Sequence, residues 1–131
     1  MERGTTRIYV PLAIGRHVDH QVAFRAGVEL VRGGWEVWFY EDLPYALKPG
    51  IRDERIGSAG VGLANGALVG VEETWEAKID AIMAYPSQLV TIFTYIGSGA
   101  SREEIEVLLR GYAEGEGNGV AVERYWRVGE G

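Results

Sequence analysis

Residues 6–40 read TRIYVPLAIGRHVDHQVAFRAGVELVRGGWEVWFY, and the period of their apolar residues changes twice. Over Thr6–Leu12 the alternation puts Ile8, Val10 and Leu12 on one face and Tyr9 on the other, which is the pattern of a strand. Pro11 suits the end of that strand better than its middle. From about Val18 to Arg32 the spacing becomes helical, and Gly33-Gly34 closes the helix. Trp35–Tyr40 then alternates again, with Trp35, Val37 and Phe39 opposite Trp38 and Tyr40. Both faces are apolar apart from Glu36, so this second strand is expected to be covered on two sides, as parallel strands are. Strand, helix, strand over this length is a βαβ unit with a right-handed crossover. The expected fold class is therefore α/β with a partial parallel sheet and flanking helices.

The later sequence is less regular. Glu41–Arg55, with Pro44 and Pro49, reads as a long loop. A short strand is expected over Ala67–Val71. Thr74 can cap a helix carrying Trp75, Ile79, Ile82 and Met83 at helical spacing. Pro86 breaks that helix after Tyr85, and a shorter one over Ser87–Thr94 would bury Leu89, Ile92 and Phe93. Ser101 and Glu104 form a capping-box pattern for a helix burying Ile105, Leu108, Leu109 and Tyr112. Val120–Val128 alternates like a strand at a sheet edge. Two glycine-rich tracts, Gly57–Gly70 and Gly111–Gly119, read as mobile or tightly turning loops. No internal repeat is visible.

Composition bounds the function. The chain has 131 residues, 47% of them hydrophobic and 24% charged, which suits one domain over 1–131. There is no cysteine, so disulfides and thiolate metal sites are excluded and a reducing, cytoplasmic setting is the default. The N-terminal residues lack the basic start and apolar run of a secretory signal. No stretch approaches transmembrane length, so no membrane partner is expected. The net charge of −6 argues against nucleic acid, whose phosphates need clustered Lys and Arg.

Both histidines, His17 and His20, fall in Gly15-Arg16-His17-Val18-Asp19-His20. Gln21, Arg25, Glu29 and Arg32 make the solvent stripe of the helix. His20 lies far from it, beside Phe24 and Val31, whereas His17 lies nearer the stripe or ahead of the first turn. Three-residue spacing lets both rings serve one site, just beyond the carboxyl end of a strand, where open α/β sheets bind ligands. A neutral imidazole is a good zinc ligand, and Asp19 could orient a ring. The same spacing also occurs on helices with no site. A catalytic zinc takes three protein ligands, and two histidines leave a carboxylate to complete the set: Asp19, or Glu41 or Asp42 at the end of the next strand. Glu41 and Asp42 read equally well as a solvated turn.

Tyr9-Val10-Pro11-Leu12 followed by Gly15-Arg16-His17-Val18-Asp19-His20-Gln21 resembles the second motif of the LmbE-like, or PIG-L, zinc-dependent de-N-acetylases. Phe39-Tyr40-Glu41-Asp42-Leu43-Pro44-Tyr45 is similar to the loop after the family's next strand. Lys78-Ile79-Asp80-Ala81-Ile82 with Ala84-Tyr85-Pro86-Ser87-Gln88-Leu89 resembles a later helix and its Tyr-x-Ser-Gln signature. These motifs run in family order over residues 9–89, and from Ser98 onward the resemblance is weak. It implies a Rossmann-like parallel layer fold and hydrolysis of an acetamide on a sugar or glycoconjugate, releasing acetate and an amine. It implies Zn2+ as cofactor, His20 as a ligand, and His17 as acid or oxyanion stabiliser held in orientation by Asp19. Arg16, Glu41, Asp42, Tyr85 and Gln88 become candidates for the substrate pocket, with Ser87 close by. Helix breaking and N-capping explain Tyr85 to Gln88 equally well.

The family's His-Pro-Asp-Asp type motif, which supplies two zinc ligands and the carboxylate that activates water, has no counterpart here. The chain thus resembles about the second half of the domain, without the first βα units. It is expected to be inactive alone, as a fragment or one half of a split enzyme. The alternative is a non-catalytic module that self-associates or binds a partner such as a missing N-terminal half. Trp35, Trp38, Phe39 and Trp126 would be its exposed apolar contributors. A third account completes the site across a homo-oligomer, with Glu41 or Asp42 from a second chain.

Overall fold

A computed structural model describes residues 2–129. The elements, in chain order, are β1 (Arg7–Pro11), α1 (Val18–Arg32), β2 (Glu36–Tyr40), a 3-10 turn (Tyr45–Leu47), α2 (Ile51–Ser58), β3 (Leu63–Gly70), α3 (Trp75–Met83), α4 (Pro86–Tyr95), α5 (Arg102–Glu116) and β4 (Val122–Val128). They form a mixed α/β structure with one four-stranded sheet in the order β1-β2-β4-β3. The chain divides into two compact units, residues 1–67 with 124–131, and residues 68–123; the division falls within β3 and β4.

The first unit contains the βαβ crossover. β1 and β2 pair in parallel, from Arg7 opposite Glu36 to Pro11 opposite Tyr40. Leu12 N–H donates to Tyr40 O at 2.9 Å. Because backbone groups alternate sides along a strand, the Pro11 nitrogen faces away from β2, where a missing N–H costs no ladder bond. α1 ends as its sequence dictates, with Gly33 N–H donating to Glu29 O and Gly34 N–H to Val31 O, each at 3.0 Å. The helix covers one sheet face: Val10, Phe24, Val28, Val37 and Phe39 are buried, and the Phe24 and Phe39 rings stand 5.3 Å apart. Gly27 allows this close approach, since a Cβ there would lie 2.7 Å from Val10 Cγ2 and 3.2 Å from Phe39 Cε1.

Several expectations are corrected. β2 is not covered equally on two sides, because Val37 and Phe39 are fully buried while Trp38 is half-buried and Tyr40 exposed. Trp38 keeps its polar handle satisfied by donating to Glu36 at 2.8 Å, and the Arg7 and Arg127 guanidiniums lie over its ring. Phe39, expected among the exposed aromatics, is fully buried under α1. β4 is interior rather than at an edge and runs antiparallel to β2, Phe39 opposite Trp126 and Tyr40 opposite Tyr125. The loop expected over Glu41–Arg55 contains the 3-10 turn and the first part of α2, which runs on to Ser58. α2 starts after Gly50 at φ +79 with Asp53 and Glu54 in its first turn, where negative charge favours a helix N-terminus. It has no fully buried residue and hence no apolar stripe to announce it. The first glycine tract is largely β3, and the second lies mostly inside α5.

The second unit packs α3, α4 and α5 around Trp75, Ile79, Leu89, Phe93, Ile105, Leu109 and Ala113, all buried. Pro86 takes the first position of α4, where its absent N–H is harmless. Ser101 caps α5, accepting from Glu104 N–H at 3.1 Å. Leu108 is a miss: it sits on the exposed side of α5. Arg110 donates to both oxygens of Glu72 at 3.0 Å, and Glu72 also accepts from Ala121 N–H at 3.1 Å.

Candidate functional site

Residues 12–17 carry the chain from the carboxyl end of β1 to the start of α1. Leu12, Ala13 and Ile14 are completely buried. Ala13 (φ 66), Gly15 (φ 90) and Arg16 (φ 58) all take left-handed conformations. Two of these three carry side chains, which makes the loop costly to form and dependent on its surroundings. Those surroundings are visible: Arg55 Nε donates to Leu12 O at 2.8 Å, Ile14 N–H to Asp42 Oδ1 at 3.0 Å, and Gln21 Nε2 to Arg16 O at 2.5 Å. Arg16 itself reaches α2, meeting Glu54 at 2.5 Å and Ser58 at 3.2 Å.

His17 occupies the N-cap of α1 and His20 its first turn, with ring centroids 5.8 Å apart. His20 Nδ1 lies 2.5 Å from Asp42 Oδ2. The Asp42 side chain is 1% exposed and that of His20 36%, so the pair has a buried acid end and an open imidazole end. Burial pushes the Asp42 carboxyl above its ordinary pKa, against the hydrogen bonds from His20 and Ile14 that favour its ionised form. With Ile14 N–H fixed on Oδ1, Asp42 Oδ2 is the acceptor for an Nδ1–H. That bond selects the tautomer whose Nε2 keeps its lone pair, on the ring edge away from Asp42. A carboxylate behind a histidine whose other nitrogen faces outward is how metal-ligating histidines are held.

His17 has a different partner. Its Nε2 lies 2.6 Å from the Tyr45 hydroxyl, and the two ring centroids are 5.0 Å apart. Asp19, placed between the histidines in sequence, accepts from His20 N–H at 3.1 Å within the first turn of α1.

The remaining sequence candidates separate. Glu41, beside Asp42 in sequence, turns elsewhere: its carboxylate accepts from Trp126 Nε1 at 2.8 Å and lies 3.6 Å from Arg52. Tyr85 and Gln88 belong to the second unit, Tyr85 as the exposed N-cap of α4 and Gln88 in its first turn. Tyr45 carried no role on its own in the sequence reading. Its only trace there is Gly15, where a Cβ would come within 2.8 Å of the Tyr45 ring.

Among the described residues, no group of three or more His, Asp and Glu is placed to hold a metal ion. The residues present offer one oriented donor, His20 Nε2, where a catalytic zinc takes three. The described residues by themselves therefore do not fit a complete catalytic zinc centre. No helix among the described residues is long and apolar enough to cross a membrane.

No protein-family model matches the chain. Over 89 residues it is 36% identical to 2'-N-acetylparomamine deacetylase of Streptomyces fradiae, a stretch making up 66% of this chain and 32% of that protein. Its fold matches the zinc-inhibited form of teicoplanin deacetylase Orf2 with a TM-score of 0.67 and 23% identity, over 95% of this chain and 46% of that one. It matches the A40926 pseudoaglycone deacetylase Dbv21 with a TM-score of 0.64 and 25% identity, over 94% and 49%. The chain shares its fold with deacetylases. It spans about a third of the curated relative and just under half of each solved one.

Proposed function

We propose that this chain forms one wall of the site of an LmbE-like, zinc-dependent N-deacetylase acting on an acylated amino sugar or its conjugate. The observation that carries this reading is the buried Asp42 behind His20, which leaves Nε2 as a donor at the carboxyl end of a parallel strand pair. The sequence relative's name supports the substrate class, since it gives an N-acetylated aminosugar. The zinc-inhibited form of a fold neighbour is consistent with metal dependence. In this reading His20 contributes one ligand and His17 donates to the oxyanion of the tetrahedral intermediate. The other donors and the water-activating base come from outside the described residues. No hydrolytic step is assigned to this chain alone.

The incomplete donor set also supports a second reading, in which the chain is a non-catalytic module that self-associates or recruits a partner. Val18 and Val22, one turn apart on α1 and strongly exposed, suit such a role. Acetate release from an N-acetylated aminosugar separates the two. On the deacetylase reading the isolated chain is inert. A chimera that adds the remainder of a solved deacetylase releases acetate in a zinc-dependent way and loses this with His20→Ala. Release by a chimera that is indifferent to His20→Ala contradicts the reading.

A further inference from the structure

The hydrogen-bond partner of His17 is Tyr45, and this contact has a built seat. Tyr45 begins the 3-10 turn after β2, three residues beyond Asp42, so one short segment serves both histidines. Gly15 leaves the space its ring occupies: a Cβ there would lie 2.8 Å from Tyr45 Cγ and 3.0 Å from Cδ1, at a φ of +90 that side chains rarely adopt. The hydroxyl then meets His17 Nε2 at 2.6 Å.

We infer that Tyr45 is a positioning residue for His17: its hydroxyl donates to Nε2, fixes the ring, and holds the ring proton on Nδ1. The direction of the bond follows from the two groups. A neutral imidazole nitrogen is the better acceptor and a phenol the better donor, so the proton between them stays on oxygen. The His17 N–H that remains free for an incoming ligand is then Nδ1–H. The two histidines are thereby set alike but used oppositely. His20 commits Nδ1–H to a buried carboxylate and offers a lone pair, while His17 commits Nε2 to a phenol and offers a proton. That division of labour is what an acyl-transfer site needs from neighbouring imidazoles, one to hold an electrophile and one to donate toward a developing oxyanion. The use made of the Nδ1–H rests on the deacetylase reading; the tautomer does not.

Because the chain has only two histidines, long-range proton–nitrogen correlation on the 15N-histidine-labelled full chain, above the histidine titration range, resolves both rings without an activity assay. In the native protein His17 should show a protonated Nδ1 and an unprotonated Nε2. Tyr45→Phe should shift His17 toward the Nε2–H form or a mixture, while His20, held by Asp42, keeps its pattern and reports that the fold is intact. A native His17 protonated on Nε2 overturns the inference whatever the variant does. So does a Tyr45→Phe protein in which both rings are unchanged. Neither result bears on whether His20 takes a metal, so failure here is distinguishable from failure of the deacetylase reading.

Discussion

Asp19 stands next to His20 in sequence and Asp42 lies 22 residues away, yet it is Asp42 that meets the His20 imidazole, while Asp19 accepts from the His20 backbone N–H. The reason is burial. Asp42 lies buried in the loop two residues beyond β2, where its carboxylate must find partners, and Ile14 N–H and His20 Nδ1 are what it finds. Asp42→Asn tests the consequence. The amide oxygen can still accept from Ile14 N–H, which turns the NH2 toward His20 Nδ1. His20 should then move its proton to Nε2 and lose the outward lone pair, seen as an exchange of its two nitrogen signals. Asp42→Ala instead leaves Ile14 N–H unpaired and should cost about 1–3 kcal/mol in denaturant unfolding. A second residue-scale prediction concerns Glu72. Hydrogen bonds from Arg110 and from Ala121 N–H hold its carboxyl below the ordinary value. A depressed folded pKa contributes stability above the unfolded pKa, and that contribution is lost as pH falls through the folded value. Glu72→Gln should therefore flatten the acid limb of the thermal midpoint against pH. An unchanged limb would mean the ion pair contributes nothing.

At the scale of elements, legibility followed apolar periodicity. α1 was readable to the residue because its polar stripe is continuous and Gly33-Gly34 ends it. α2 was invisible, since it has no fully buried residue to set a stripe. β4 was readable as a strand but not as an interior one, because a sheet's strand order depends on pairings distant in sequence. The glycines of β3 suggested a loop, yet Gly66 is there for contact. A Cβ at that position would lie 2.6 Å from Arg127 Cγ and 2.9 Å from both Trp38 Cζ3 and Tyr125 O. The same logic gives an element-scale prediction at Gly27 in α1. Helix propensity alone would make Gly27→Ala stabilising by about 1 kcal/mol. The 2.7 Å approach to Val10 Cγ2 involves a buried, β-branched side chain that cannot swing away, so overpacking should win and destabilise the protein by about 1–3 kcal/mol. A raised denaturation midpoint would show that the α1–sheet contact is looser than described.

For the whole molecule, a histidine pair in the sequence became two pairs with separate partners, His20 with Asp42 and His17 with Tyr45. Reading residues 15–20 alone could suggest a metal site but could not supply either partner, because both lie more than twenty residues away on the far side of α1 and β2. Family resemblance put Glu41 to Tyr45 beside the histidines in motif order without saying which side chains meet. This chain spans under half of each solved deacetylase whose fold it shares. The account turns on His20 Nε2 being an unprotonated, outward donor. Zinc titration of the 15N-histidine-labelled chain, followed at the ring nitrogens, tests this most directly. The account predicts that His20 Nε2 moves on zinc addition while the His17 signals stay in place, and that Asp42→Asn abolishes the movement. A His20 Nε2 that is protonated before zinc is added, or that fails to respond while His17 does, would contradict it.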